Sequence, residues 1–381
     1  LCETFNEMKV MHDNSNSSLR LLELDIVKTV AIFLMVMTHV GEIFFSYVWE
    51  DKAFCPSTGA WSVFDGWSTV LAPALFMFSM GVAINFSRRL GPGQWIRRGF
   101  WLILTWFLLK ASYCLVGIRH VAASGLTPWQ FCIQYIFYSD ILCFAGLFFV
   151  IMGFLRKLKV PKTVIALLAL GLFGAGQFIY VEPTTPCMSL TIFVQAIVGL
   201  FVSTPITAFP FFHWVLHPLL GLGWGWLMFR SRNRDRFFGV SMLASLPILL
   251  CIVVWYVITV TRTGDLPKMD LVESAYVVKP AILVASYGVF VFLCSTFHFL
   301  VRWAEGSRFV RACSFVASRL TVFYCIQWVM IPCVATLLPM WPEGKVFSPA
   351  VILGCTVSVY VACIVLAEPV RRLKNMVFGG R

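Results

Sequence analysis

Residues 24–39 read Leu24-Asp25-Ile26-Val27-Lys28-Thr29-Val30-Ala31-Ile32-Phe33-Leu34-Met35-Val36-Met37-Thr38-His39, and the apolar run they open continues to residue 48. A stretch of this length and composition predicts a membrane-spanning helix, since roughly 20 apolar residues cross the hydrocarbon core. Ionisable side chains inside such a helix are costly, so each is a candidate functional group. Lys28 sits near one edge, where its ammonium group can reach the interface. His39 follows eleven positions later, about 16 Å along the axis at 1.5 Å per residue and close to three full turns. The two side chains therefore share a face. A cation at one end and an imidazole deeper in suit a long, thin ligand with an anionic head, which is the shape of acyl-coenzyme A. Read alone, Lys28 also fits a helix-end anchor, and His39 fits a packed, hydrogen-bonded structural histidine.

Outward from this stretch the same pattern repeats. Apolar runs cover residues 64–87, 98–118, 131–154, 161–181, 208–229, 237–260, 277–301, 315–338 and 347–369, with a shorter one at 189–204. The 381 residues are 59% hydrophobic and only 13% charged, about half the charge of an average soluble domain. The chain is therefore expected to be an all-α, polytopic transmembrane bundle of about ten or eleven spans. A segment at 1–24 precedes the membrane domain (25–370) and a basic tail (371–381) follows it. Residues 1–20 have mixed charge and no apolar core, unlike a signal peptide.

The net charge of +12 does not point to nucleic acid, because Arg and Lys cluster in short loops between apolar runs. That distribution is the positive-inside signal. If all the clusters face the cytoplasm, both termini do as well, the crossings number ten, and 189–204 lies as a short re-entrant or surface segment on the outer side. Eleven crossings is the rival count. The 13 cysteines are scattered and form no C-x-x-C pair. They read as small packing residues, although Cys55 and Cys187 fall in outer loops where a disulfide could form.

Other residues complete a candidate site. Asp140 is expected at a depth similar to His39 and could fix its tautomer, as carboxylates do in catalytic triads. Glu42, at i+3 from His39, competes for that role. Arg88, Arg89, Arg97 and Arg98 form a candidate phosphate clamp, since Arg binds phosphate through two parallel hydrogen bonds. They also fit the topogenic signal alone. His213 and His217, at i and i+4, are candidates for the acceptor side, with interfacial packing as the plainer reading. No metal is expected, because two His without an acidic neighbour make a weak site.

The Lys-x10-His spacing, preceded by Leu22-Glu23-Leu24-Asp25, resembles the Arg/Lys-x10-His motif that opens the acyltransferase-3 family. Pro73-Ala74-Leu75-Phe76-Met77-Phe78-Ser79-Met80-Gly81 is similar to a second-span segment of the same superfamily, and more so to its heparan-α-glucosaminide N-acetyltransferase-like branch. The basic run 88–98, Asp140-Ile141-Leu142, Phe209-Pro210 and Ala367-Glu368-Pro369 resemble further family segments. Gln327 departs from the pattern, standing in a late span where these families often carry His.

The resemblance implies transfer of an acyl group, usually acetyl, from cytoplasmic acetyl-CoA to a glycan or lipid on the far side of the membrane. Lys28 would hold the donor, His39 would be the catalytic base, and Gln327 could orient the acceptor. An integral membrane protein, in a plasma membrane of bacterial type, is the expected setting, with the lipid bilayer, acyl-CoA and a glycan or glycolipid acceptor as partners. The competing functions are a transporter or flippase of a glycan or lipid precursor, and a haem-bearing electron carrier using His39, His213, His217 or His298.

Overall fold

The computed structural model describes residues 21–49, 60–86, 91–117, 129, 132, 136–179, 194, 197–204, 207–263, 278–304, 306–337 and 349–378. Twelve helices appear among them: α1 (Leu22–Trp49), α2 (Ala60–Phe86), α3 (Pro92–Gly117), α4 (Ile141–Lys157), α5 (Lys162–Gly176), α6 (Phe211–Trp214), α7 (Leu216–Arg230), α8 (Arg234–Thr263), α9 (Pro280–Ala304), α10 (Arg308–Ala317), α11 (Leu320–Leu337) and α12 (Pro349–Phe378). The described residues form no strand, only one isolated bridge between Ser139 and Thr207. A helical bundle is what lipid demands, because every backbone polar group must be satisfied within its own segment.

Each of the ten expected spans coincides with a helix or a pair of them. Among the described residues five helices are long and apolar enough to cross, namely α1, α2, α8, α9 and α12. Helices α10 and α11, bent by 78° at the break between them, would be a sixth if the pair is one broken span rather than a re-entrant loop. The others differ for visible reasons. Helix α3 is long but carries Arg97, Arg98 and Lys110. Helices α4, α5 and α7 have 17, 15 and 15 residues, about 23–26 Å at the helical rise and shorter than a bilayer core. Within 189–204 the described residues 197–204 form one helical turn followed by a bend, and Phe211 and Phe212 donate their N–H groups back to Leu200 and Phe201. The basic end expected as a separate tail from 371 is the last part of α12, which runs unbroken through Pro369.

Helices α1 and α2 are central, with 67% of each spanning stretch buried, whereas α8 lies at the periphery with 11% buried. Close approach of α2 to α7 depends on two glycines. A Cβ on Gly81 would fall 1.9 Å from the Pro218 carbonyl oxygen, and one on Gly221 would fall 2.1 Å from that of Phe78. Small residues at such crossings let helices pack where lipid offers no hydrophobic drive.

The helix ends on one side of the bundle are tied by charge. His298 of α9 reaches Asp235 of α8 at 3.0 Å and Glu23 of α1 at 3.7 Å, while Arg302 pairs with Asp235 at 2.8 Å. The His298 ring also stacks on Phe238 at 3.9 Å.

Candidate active site

The threonines of α1 bond both to their own helix and across it: Thr29 reaches the Asp25 carbonyl at 2.8 Å and that of Cys313 at 3.1 Å, and Thr38 reaches the Leu34 carbonyl at 3.1 Å. Towards its neighbours α1 also presents Asp25, which accepts from Ser314 at 2.9 Å, Thr38, which meets Ser68 Oγ at 2.8 Å, and the two candidates Lys28 and His39. Each candidate lines a cavity, and the two cavities stand one above the other on α1, α2, α4 and α11.

The lower cavity has a volume of about 360 Å³. Its cations are Lys28, Arg98, Arg319 and Arg371, and its apolar walls include Phe76, Leu102 and Phe149. The Arg98 guanidinium lies over the Phe149 ring at 4.6 Å. This is an anion site with room for an organic body, since ligand pockets generally start near 300 Å³.

The upper cavity is smaller, about 70 Å³, and is lined by Thr38, His39, Ser68, Tyr138, Asp140, Tyr324 and Trp328 among others. His39 is half-buried, packs its ring against Trp328 at 4.6 Å between centroids, and its Nδ1 has no hydrogen-bond partner among the described residues. Pro73 of α2 also lines this cavity. Lacking an N–H, it cannot donate to the carbonyl one turn earlier, so the ladder of α2 opens at the level where the cavity forms.

Asp140 shares the cavity with His39 but does not orient it. Its Oδ1 caps α4, accepting from the backbone N–H of Leu142 at 2.9 Å and of Cys143 at 3.3 Å. Its Oδ2 accepts from the Tyr324 hydroxyl at 2.9 Å and lies 3.7 Å from the Lys110 ammonium. Helix capping occupies one oxygen, and Tyr324 with Lys110 occupies the other. The Lys110 ammonium sits over the rings of Trp328 at 4.5 Å and Tyr138 at 5.0 Å, and Trp106 donates to the Tyr138 carbonyl at 3.2 Å. Lys110, Asp140 and Tyr324 are all buried, so a charged pair is held inside the membrane domain by aromatic faces and one phenol.

The remaining candidates are distributed as follows. Arg98 lines the lower cavity, whereas Arg97 is exposed on α3 outside it. Arg88 and Arg89 lie outside the described residues, as do Cys55 and Cys187, and the side chain of Glu42 is likewise not described. His213 and His217 are completely buried and line neither cavity. The His217 ring is packed between Trp214 at 4.6 Å and Phe78 at 5.0 Å, and His213 lies against Gly176. Gln327 is also completely buried, and neither atom of its carboxamide finds a hydrogen-bond partner among the described residues.

Tyr324 lines the upper cavity, Arg319 and Arg371 line the lower one, and Lys110 stands beside the upper one through Asp140; none of the four was among the sequence candidates. Lys110 had a signal, being a lone cation in the middle of an apolar run, and that placement is costly anywhere in a membrane. Arg319 had a weaker one, at the start of a late span. Tyr324 had none, since a tyrosine in an apolar helix is ordinary.

Comparison with known families adds the identity of the whole chain. The model of the acyltransferase domain matches residues 21–368, nearly the full length, so the protein belongs to the acyltransferase-3 family. No curated protein sequence matches it. A membrane acyltransferase is the activity that goes with this family.

Proposed function

We propose that this acyltransferase takes its acyl group, acetyl in the simplest case, from acyl-coenzyme A bound at the lower cavity and transfers it to a hydroxyl or amine of a glycan or lipid at the upper one. The observation that carries the reading is the stacking of the two cavities on four shared helices, with Lys28 in one and His39 in the other. Phosphates would be held by Lys28, Arg98 and their neighbours, where guanidinium groups offer parallel hydrogen bonds. The thioester arm would extend along α1 towards His39.

There the imidazole takes the proton of the acceptor hydroxyl or amine as its oxygen or nitrogen attacks the thioester carbon. The new C–O or C–N bond forms, the C–S bond breaks, and the coenzyme A thiolate leaves with the proton returned by His39. An imidazole can both accept a proton and return it, which is what the two halves of the step require. The lower cavity lies on the side of the basic helix ends, which supports a cytoplasmic donor by the positive-inside rule.

Purified protein in detergent or nanodiscs should bind coenzyme A, and should release it from acetyl-CoA when a mixed pool of membrane glycolipids is supplied. A protein that moves a glycan or lipid across the membrane without chemistry has no use for coenzyme A. Absence of binding at millimolar concentration would therefore sink the enzyme reading and leave the flippase.

A further inference from the structure

Two arginines of the lower cavity share one carboxylate, and they spend their N–H groups differently. Glu368, on α12, accepts through Oε2 from Arg319 Nη2 at 2.8 Å and Nε at 3.2 Å, and from Arg371 Nε at 3.1 Å. Through Oε1 it accepts from Arg371 Nη2 at 2.9 Å and, at a marginal 3.5 Å, from Arg372 Nε. Arg319 stands in the break between α10 and α11. Its Nη1 donates to the Phe315 carbonyl at 3.3 Å and to Ser318 Oγ at 3.0 Å, and its guanidinium covers the Phe315 ring at 4.0 Å. A guanidinium has five N–H groups. Arg319 therefore commits four of them to the elbow and to Glu368, whereas Arg371 commits two and keeps three, with no other partner among the described residues.

We infer that Arg371 is a ligand-binding cation of the lower cavity, that Glu368 is the residue that positions it, and that Arg319 is a fastener of the α10–α11 elbow. The basic end of α12 thus forms a wall of the donor site. This rests on the reading of that cavity as a phosphate-binding donor site. The bidentate pairing with Glu368 fixes the plane of the Arg371 fork, and the free Nη1 edge is the part left to meet a phosphate. Glu368 neutralises one cation of the cluster while holding two, so the cavity, with Lys28 and Arg98, keeps an excess of positive charge. The sequence alone gives Arg371 no such role, because three basic residues after an apolar run read as a topogenic signal.

The test uses coenzyme A without an acyl chain as the probe, with KM and kcat for acetyl-CoA measured beside it. Arg371→Gln should weaken coenzyme A binding about tenfold, the lower end expected for a charge-assisted hydrogen bond, and raise KM by a similar factor with kcat altered less than twofold. Glu368→Gln should raise KM several-fold in the same way, and Glu368→Asp should restore part of the loss. Arg319→Gln should instead lower the unfolding temperature and reduce kcat, because it loosens the elbow that carries α11.

Wild-type affinity in Arg371→Gln, combined with lost affinity in Lys28→Ala, would overturn the assignment of Arg371 while leaving the donor site standing. A KM unchanged in Glu368→Gln would remove its positioning role. If the wild-type protein itself fails to bind coenzyme A, the donor reading fails first and this assignment goes with it.

Discussion

The lower and upper cavities share four helices, yet one is lined by four cations around about 360 Å³ and the other by an imidazole, a tethered carboxylate and hydroxyls around about 70 Å³. The upper space is about a fifth the size of the lower one. Its one nearby cation among the described residues, Lys110, is matched by Asp140 and shielded by rings. Membrane energetics imposes this division of labour. An excess of cations is tolerable at the bundle's edge, whereas charge about three helical turns deeper must be neutralised. Holding an anionic donor and performing proton transfer are thus placed at separate depths of the same groove.

The largest effect should come from the upper cavity. His39→Gln removes the base and should lower kcat by about 10²- to 10⁴-fold, the usual worth of a positioned acid–base group. Coenzyme A affinity, set below, should stay within about twofold of wild type, since a remote site contributes little to it. Equal losses in both quantities would dissolve the division between the cavities.

Next in size is the structural cost of leaving Lys110 without its carboxylate. Asp140→Ala strips the cap of α4 and unpairs a buried ammonium, and breaking such a pair costs about 3–5 kcal/mol. Thermal unfolding in detergent should show a large drop. Asp140→Asn should be milder because an amide oxygen can still cap the helix, and pairing it with Lys110→Met should recover stability by removing the stranded charge. If Asp140→Ala unfolds like wild type, the pair is ornamental and the upper cavity is wetter than its lining suggests.

How much of this was legible before the fold was known varies with the kind of signal. Apolar runs gave all ten helical positions, because membrane insertion is a composition-level property. The Lys28–His39 stripe was legible too, because both residues ride on one continuous helix whose period is fixed. Asp140 was found but given the wrong partner: its distance in sequence from His39 says nothing about the backbone N–H groups of α4 that stand within its own reach. His213 and His217 share the i, i+4 spacing of a ligand-facing pair, and only packing against Phe78, Trp214 and Gly176 shows them buried away from both cavities. Arg319 and Arg371 come from segments 52 positions apart and meet through Glu368, a juxtaposition no local pattern records.

Smaller effects belong to the lower cavity. Lys28→Ala and Arg98→Ala should each raise the KM for acetyl-CoA about tenfold, as expected for one charge-assisted contact in a partly solvated site. Unchanged values in both would move the phosphate site elsewhere. Their combination tests whether they grip one anionic group, because residues sharing a partner show non-additive losses.

The finest discrimination between the cavities is by salt. Between 0.1 and 1 M the screening length falls from about 10 to about 3 Å, so cations at the edge of the bundle lose much of their reach. Coenzyme A should then bind several-fold more weakly in a neutral salt such as sodium chloride, and the slope should flatten in Arg98→Ala. Lys110 and Asp140 are almost completely buried, and buried pairs are screened far less than exposed ones. At saturating donor, kcat should therefore be nearly flat over the same range. A kcat that falls in step with affinity would mean that ions reach the upper cavity, and that the two spaces are one continuous aqueous channel.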